Sequence, residues 1–142
     1  MEKGKYGHLI VTELKAPQFS DEYYRAYSRW AKRILWMDGN VVPGAFQMNC
    51  SWYLRPNEPH FTEAHTHNSD EIIGFFGSDP DNPYELYGEV EFWIDDEKHT
   101  ITKSCLIFIP RGLRHCPLII RRVERPIFHF NVVNESQYVA IK

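Results

Sequence analysis

The residues of this chain best suited to chemistry lie in the stretch Ala64-His65-Thr66-His67-Asn68-Ser69-Asp70-Glu71. It reads as a short strand that turns and starts another. Side chains alternate faces along a strand, so His65 and His67 point the same way. Glu71 follows a polar Asn-Ser-Asp turn and can come back to the same point. Two imidazoles and a carboxylate converging on one spot make a metal-ligand set. Much later, Pro110-Arg111-Gly112-Leu113-Arg114-His115 supplies a rigid turn followed at once by a further histidine. If that turn lies beside the first, His115 completes a site of three histidines and one carboxylate.

Such a set offers three neutral nitrogens and one anionic oxygen. An octahedral metal held by it keeps two positions for water, substrate or dioxygen. Mixed imidazole and carboxylate ligation suits one divalent transition metal, whether iron, manganese, nickel, cobalt or zinc, and does not select among them. The lack of a thiolate among the four argues against a structural zinc site. Cys116, next to His115, should face the opposite way on a strand. Histidines taken singly are more often packed or surface residues, and His60 and His99 are read so. His60 faces away from His65 on a straight strand, and His99 lies near a hairpin turn. His129 shares one strand face with Asn131 and can line a cavity.

Taken together, His-x-His-x-x-x-Glu followed by Pro-x-Gly-x-x-His resembles the two motifs of the cupin superfamily, over about residues 46–133. The resemblance implies an all-β fold, a single double-stranded β-helix or jelly-roll barrel. It also implies that dioxygenase and isomerase activities are frequent, and that barrels of this size pair by their sheet faces.

The elements that must position these residues follow from the patterning. From Phe46 the period is two: Gln47, Asn49, Ser51 and Tyr53 alternate with Phe46, Met48, Cys50, Trp52 and Leu54. The polar face of that strand looks out in a plain barrel and in toward the ligand in a binding barrel, and the pattern alone does not choose. Short strands with turn signals between them continue to Val133, as in a closed barrel or sandwich. Before them, residues 1–18 read as an extended arm with a strand at His8–Thr12. Residues 20–36 read as the one good helix, with Ser20 as N-cap and Asp21 and Glu22 in its first turn. Tyr23, Tyr27, Trp30, Ala31 and Ile34 form its apolar stripe, and Arg25, Arg29, Lys32 and Arg33 a solvated basic face. The expected organisation is therefore an N-terminal arm and helix over 1–45, packed outside a barrel over 46–142, all in one domain. The turn-rich loop Gly77–Tyr84 is a surface excursion, a lid or a dimer contact, with Tyr84 and Tyr87 within reach of the pocket mouth.

Bulk properties set the class. The 142 residues suffice for one domain with a sizeable core. A net charge of −3 gives no basic footprint for nucleic acid. No apolar run approaches a membrane span, and the N-terminus lacks a signal peptide's apolar core. Three cysteines without paired spacing read as reduced thiols in a cytoplasmic protein. Aromatic content of 15% suits a barrel wall or a ligand pocket.

The function expected from these features is a metal-dependent enzyme, of dioxygenase or isomerase/lyase type, acting on a small polar oxygen-bearing substrate. Glu71, as a ligand, is a poor general base; His129 or Tyr53 is better placed for that role. Gln47, Asn49, Asn131 and Arg114 are candidates for substrate binding, and a guanidinium at Arg111 or Arg114 would suit a carboxylate. The alternative is a non-catalytic small-molecule carrier or sensor. Either reading is compatible with a homodimer.

Overall fold

A computed structural model describes residues 4–15, 19–58 and 61–142. Among these residues, eight strands form two antiparallel sheets: β1 (Ala31–Met37), β2 (Gln47–Tyr53), β3 (Glu71–Phe76), β4 (Glu85–Ile94), β5 (Glu97–Lys103), β6 (Cys105–Ile109), β7 (His115–Val123) and β8 (Ile127–Val133). One sheet runs β1-β2-β8-β3-β6 and the other β5-β4-β7. Their inner faces enclose a core in which Phe75, Leu86, Phe92, Ile109, Ile120 and Ile127 are all but fully buried. This is the expected all-β jelly roll, with one α-helix, α1 (Asp21–Ser28).

The strand at residues 47–53 forms as its alternation requires, and its polar face turns inward. Gln47, Asn49, Ser51 and Tyr53 are buried, while Met48, Cys50 and Trp52 form the outer face. Registry fixes what stands beside them. Asn49 pairs with Asn131, and Ser51 with His129. On the far side of β8, Asn131 pairs with Ile73 and His129 with Phe75. The barrel interior therefore carries a polar band across neighbouring strands.

The N-terminal third departs from its pattern. Ser20 does cap α1, its hydroxyl accepting from the Tyr23 amide at 3.0 Å. The helix then stops at Ser28 instead of running to residue 36. Residues 31–37 instead pair with β2 from Ala31↔Tyr53 to Met37↔Met48. The pairing satisfies the facing backbone groups of β1 and β2, a gain that short-range helical periodicity does not register. Lys32 still faces solvent, but Arg33, expected on a solvated face, turns toward the barrel interior. The expected strand at His8–Thr12 is also not formed. A single 3-10 turn spans Gly7–Leu9, and residues 10–15 belong to no strand.

No helix among the described residues is long and apolar enough to cross a membrane. The three cysteines are free thiols.

Candidate metal centre

The two histidine-bearing segments meet directly. His65 and His115 form an antiparallel bridge, each amide donating to the other's carbonyl at 3.0 Å. The Gly112 amide donates to the His67 carbonyl at 2.9 Å, and Gly112 has φ of 81°, which suits glycine in the turn. Glu71 opens β3 beside Ile109 and Val133. The outcome is a buried cluster of His65, His67 and His115, their candidate ligand atoms all within 4.8 Å of one another.

The ring nitrogens are sorted by backbone contacts. His65 Nδ1 lies 2.7 Å from the Glu63 carbonyl, His67 Nδ1 2.6 Å from the Val139 carbonyl, and His115 Nδ1 2.9 Å from the Leu113 carbonyl. A carbonyl only accepts, so each Nδ1 carries the proton and each Nε2 presents its lone pair. Glu71 Oε1 stands 3.0 Å from His115 Nε2 and 3.3 Å from His67 Nε2. All three of those atoms are buried without a hydrogen-bond partner. Several electron-rich atoms facing one another in a dry site suit a cation, and imidazole with carboxylate suits a divalent transition metal. Asn131 Nδ2 holds the other carboxylate oxygen at 3.2 Å, which fixes how Glu71 is aimed.

When no ion is bound, the same groups shift one another's titration by sharing protons across the cluster. Burial pushes the Glu71 carboxyl up, but the imidazoles of His115 and His67 beside it win and hold it at about 2. Burial lowers His65 to about 4 against the opposing pull of the Glu63 carbonyl. His67 is also disfavoured by burial, yet Glu71 and the Val139 carbonyl raise it.

A cavity of about 130 Å³ opens beside the cluster, with His65, Glu71 and His115 at one end. Of the other residues singled out from sequence, Tyr53, Asn49, His129 and Asn131 line it. His129 stacks on Tyr53 with ring centroids 4.7 Å apart, and its Nδ1 lies 3.1 Å from the Gly74 carbonyl. Burial lowers His129 to about 4 and pushes the Tyr53 hydroxyl well up, so at neutral pH the first is an unprotonated base and the second a proton-bearing phenol.

Other expectations fail on placement. Gln47 is buried but lies outside the cavity lining, its side-chain oxygen accepting from the Val133 amide at 3.2 Å. Arg114 is exposed on the turn before β7 and does not line the cavity, because the bridge buries His115 and leaves its neighbour outside. Arg111 is exposed as well. Tyr84 is 77% exposed, and Tyr87 is turned aside, its hydroxyl donating to Asp79 at 3.0 Å; neither lines the cavity. Cys116 does not face away from His115: it adopts φ of 73°, which breaks the alternation, and both side chains are buried against the cavity. His99 lies half-buried beside Glu97 at 2.6 Å. His60 falls outside the described residues.

The sequence reading missed one whole side of this cavity. Tyr23 and Tyr27 of α1, Trp30, Arg33 and Trp36 from the α1–β1 region, and Phe61 wall it in. Helical spacing does mark the tyrosines as one face, but it cannot show that the face meets a cavity. The second omission is Tyr138, near the C-terminus. Its hydroxyl is 3.2 Å from His65 Nε2, and the segment bearing it is tied down by Thr66 and Ile141, which exchange backbone hydrogen bonds at 2.7 and 2.8 Å.

This fold is the cupin fold. Comparison with solved structures aligns the chain with a recombinant oxalate oxidase in complex with glycolate, at 15% identity and TM-score 0.55, over 94% of this chain and 63% of that one. A second oxalate oxidase structure, with the substrate analogue glycolate, aligns at 16% identity and TM-score 0.50, over 78% and 53%. An RmlC-like cupin from Shewanella frigidimarina aligns at 15% identity and TM-score 0.42, over 62% and 65%. The chain thus spans less than two thirds of the oxalate oxidase chains it resembles. No family model and no curated protein matches its sequence.

Proposed function

We propose that the protein is a metal-dependent enzyme, of dioxygenase or isomerase/lyase type, that acts on a small polar oxygen-bearing molecule. The observation that carries this reading is the disposition of the histidines: three Nδ1 atoms spent on backbone carbonyls, three ring nitrogens clustered, and the Nε2 atoms of His67 and His115 beside Glu71. His65, His67, His115 and Glu71 would hold one divalent ion. When bound, such an ion supplies Lewis acidity, or dioxygen activation if it is iron.

The chain's own residues supply the rest. Asn49 and Asn131 offer amide groups to a polar substrate inside the barrel. His129, uncharged at neutral pH, can accept a proton, and Tyr53 can donate one. The aromatic side chains give the cavity an apolar wall. Metal content of the untagged protein tests the reading. About one equivalent of iron or manganese, lost on His65→Ala, leads to oxygen-uptake and isomerase assays. No metal in either protein after incubation with divalent salts removes the enzyme reading.

Tyr138 favours a second reading. Its hydroxyl stands at the ligand face of His65, as in a site closed for binding without turnover. A ligand bound and recovered unchanged from the metal-loaded protein would select that carrier or sensor role. In either case we read the outer face of the five-stranded sheet as the contact with a second copy. Trp52, Phe128 and Phe130 continue there into Ile72, Leu106 and Phe108, and the last two are 65% and 61% exposed. Light scattering at micromolar concentration tests it, and a monomer removes it.

A further inference from the structure

Arg33 is the most unusual charge in the molecule. It lines the cavity and makes no ion pair with any described residue. Nε donates to Asn49 Oδ1 at 2.8 Å and Nη2 to the Tyr23 hydroxyl at 3.4 Å. Nη1 is buried and has no partner. The guanidinium is fixed from its flanks by rings, its Cζ lying 4.5 Å from the Tyr27 ring centroid, 5.4 Å from Trp36 and 5.9 Å from Phe19. A positive group so enclosed, with Nη1 unpartnered and no carboxylate beside it among the described residues, is costly to keep unless an anion arrives. Its planar fork matches a carboxylate, and aromatic stacking holds the fork in place beforehand.

The geometry points to Arg33 as the anchor for the carboxylate of a small organic acid whose other end reaches the histidine cluster. Arg33 is on β1 and Glu71 on β3, three strands away in the order β1-β2-β8-β3. At about 4.8 Å between neighbours, these strands are about 14 Å apart, and both side chains close part of that gap. Asn49 and Asn131, paired on the two intervening strands, form a polar floor between the ends. The cavity of about 130 Å³ is close to one of about 150 Å³ that admits benzene, so the acid is of about that size. Tyr27, Trp30 and Phe61 offer flat apolar surface to its body. This assignment rests on the proposed role of the cavity as the substrate site, and it names the substrate class.

Benzoate and its neutral counterpart benzamide separate charge recognition from shape. Both are titrated into chelator-treated protein, so that no metal can bind the carboxylate, with tryptophan fluorescence reporting through Trp30 and Trp36. The expected result is benzoate binding about ten- to a hundredfold tighter than benzamide. Arg33→Gln should abolish the preference and Arg33→Lys should keep part of it, both with wild-type circular dichroism. Equal affinity of the wild-type protein for the two probes overturns the assignment without recourse to any variant. So does a preference that survives Arg33→Gln. Metal analysis of the untreated protein keeps the two claims apart. Benzoate selectivity without metal uptake sustains Arg33 as the anchor and removes the metal-enzyme reading. Metal uptake without benzoate selectivity does the reverse.

Discussion

The two ends of the cavity solve opposite problems with opposite means. At one end, electron-rich atoms of His67, His115 and Glu71 are buried together with no donor among them. At the other, the Arg33 cation is enclosed by aromatic rings and meets no carboxylate among the described residues. The first end is built on short segments tied by backbone hydrogen bonds, with every ring oriented by a carbonyl. The second is assembled from a helix, an edge strand and a loop that pack their side chains together. The difference teaches that the histidine cluster is a backbone achievement here, whereas the opposite wall is a packing achievement. Substitutions should therefore act differently at the two ends.

The largest effect is expected from removing a histidine proposed as a ligand. His115→Ala should lower affinity for a divalent transition ion by more than the ten- to hundredfold typical of losing a supporting partner. Elemental analysis and competition with a chelator measure it; unchanged affinity would break the contrast at its first end. Next comes acid sensitivity at His129. Folding holds this imidazole at about 4 against 6.5 when free. Between those values the unfolded chain binds more protons, so stability is fully present above about pH 6.5 and falls as pH drops toward 4. The loss is on the order of 3 kcal/mol. Urea unfolding across that range should give a flatter profile for His129→Gln than for the wild type.

Asn131→Ala leaves every proposed ligand in place but frees the outer Glu71 oxygen. We expect metal affinity to fall about ten- to hundredfold, with circular dichroism unchanged. At the other end, Arg33→Met replaces an unpaired charge by an apolar chain of similar length. Thermal unfolding should show no loss of stability, or a gain of about 1 kcal/mol. A clear loss would mean that the ring contacts offset the cost of enclosing the charge, and the two ends would then differ less. The smallest effect belongs to Arg114→Ala. An exposed arginine outside the cavity should change stability by no more than about 0.5 kcal/mol and metal affinity not at all.

How much of this was legible beforehand follows the same divide. The grouping of His65, His67, Glu71 and His115 was readable as an expectation because strand alternation and turn residues act over a few positions. That the two segments touch was only an expectation, and the His65–His115 bridge supplies it. Arg33 was misplaced for a definite reason. Its stretch carries helical periodicity, and only the unpaired edge of β2, reached through the fold, made it a strand and turned the guanidinium inward. Cys116 was misplaced because φ of 73° at one residue undoes the alternation on which the reading relied. Tyr138 left no signal at all, since a lone tyrosine near the end of a chain has no local pattern to join.

By itself, then, the sequence determined the all-β class, the strand alternation at residues 47–53 and the residue types of the histidine cluster with their spacing. Those follow from side-chain periodicity and turn chemistry, which are local. The tertiary structure alone decided which face of β2 looks inward, which arginine enters the cavity and which carbonyl orients each imidazole. Each of these depends on a partner far along the chain, as His67 does on Val139, and no local pattern encodes where such a partner will lie.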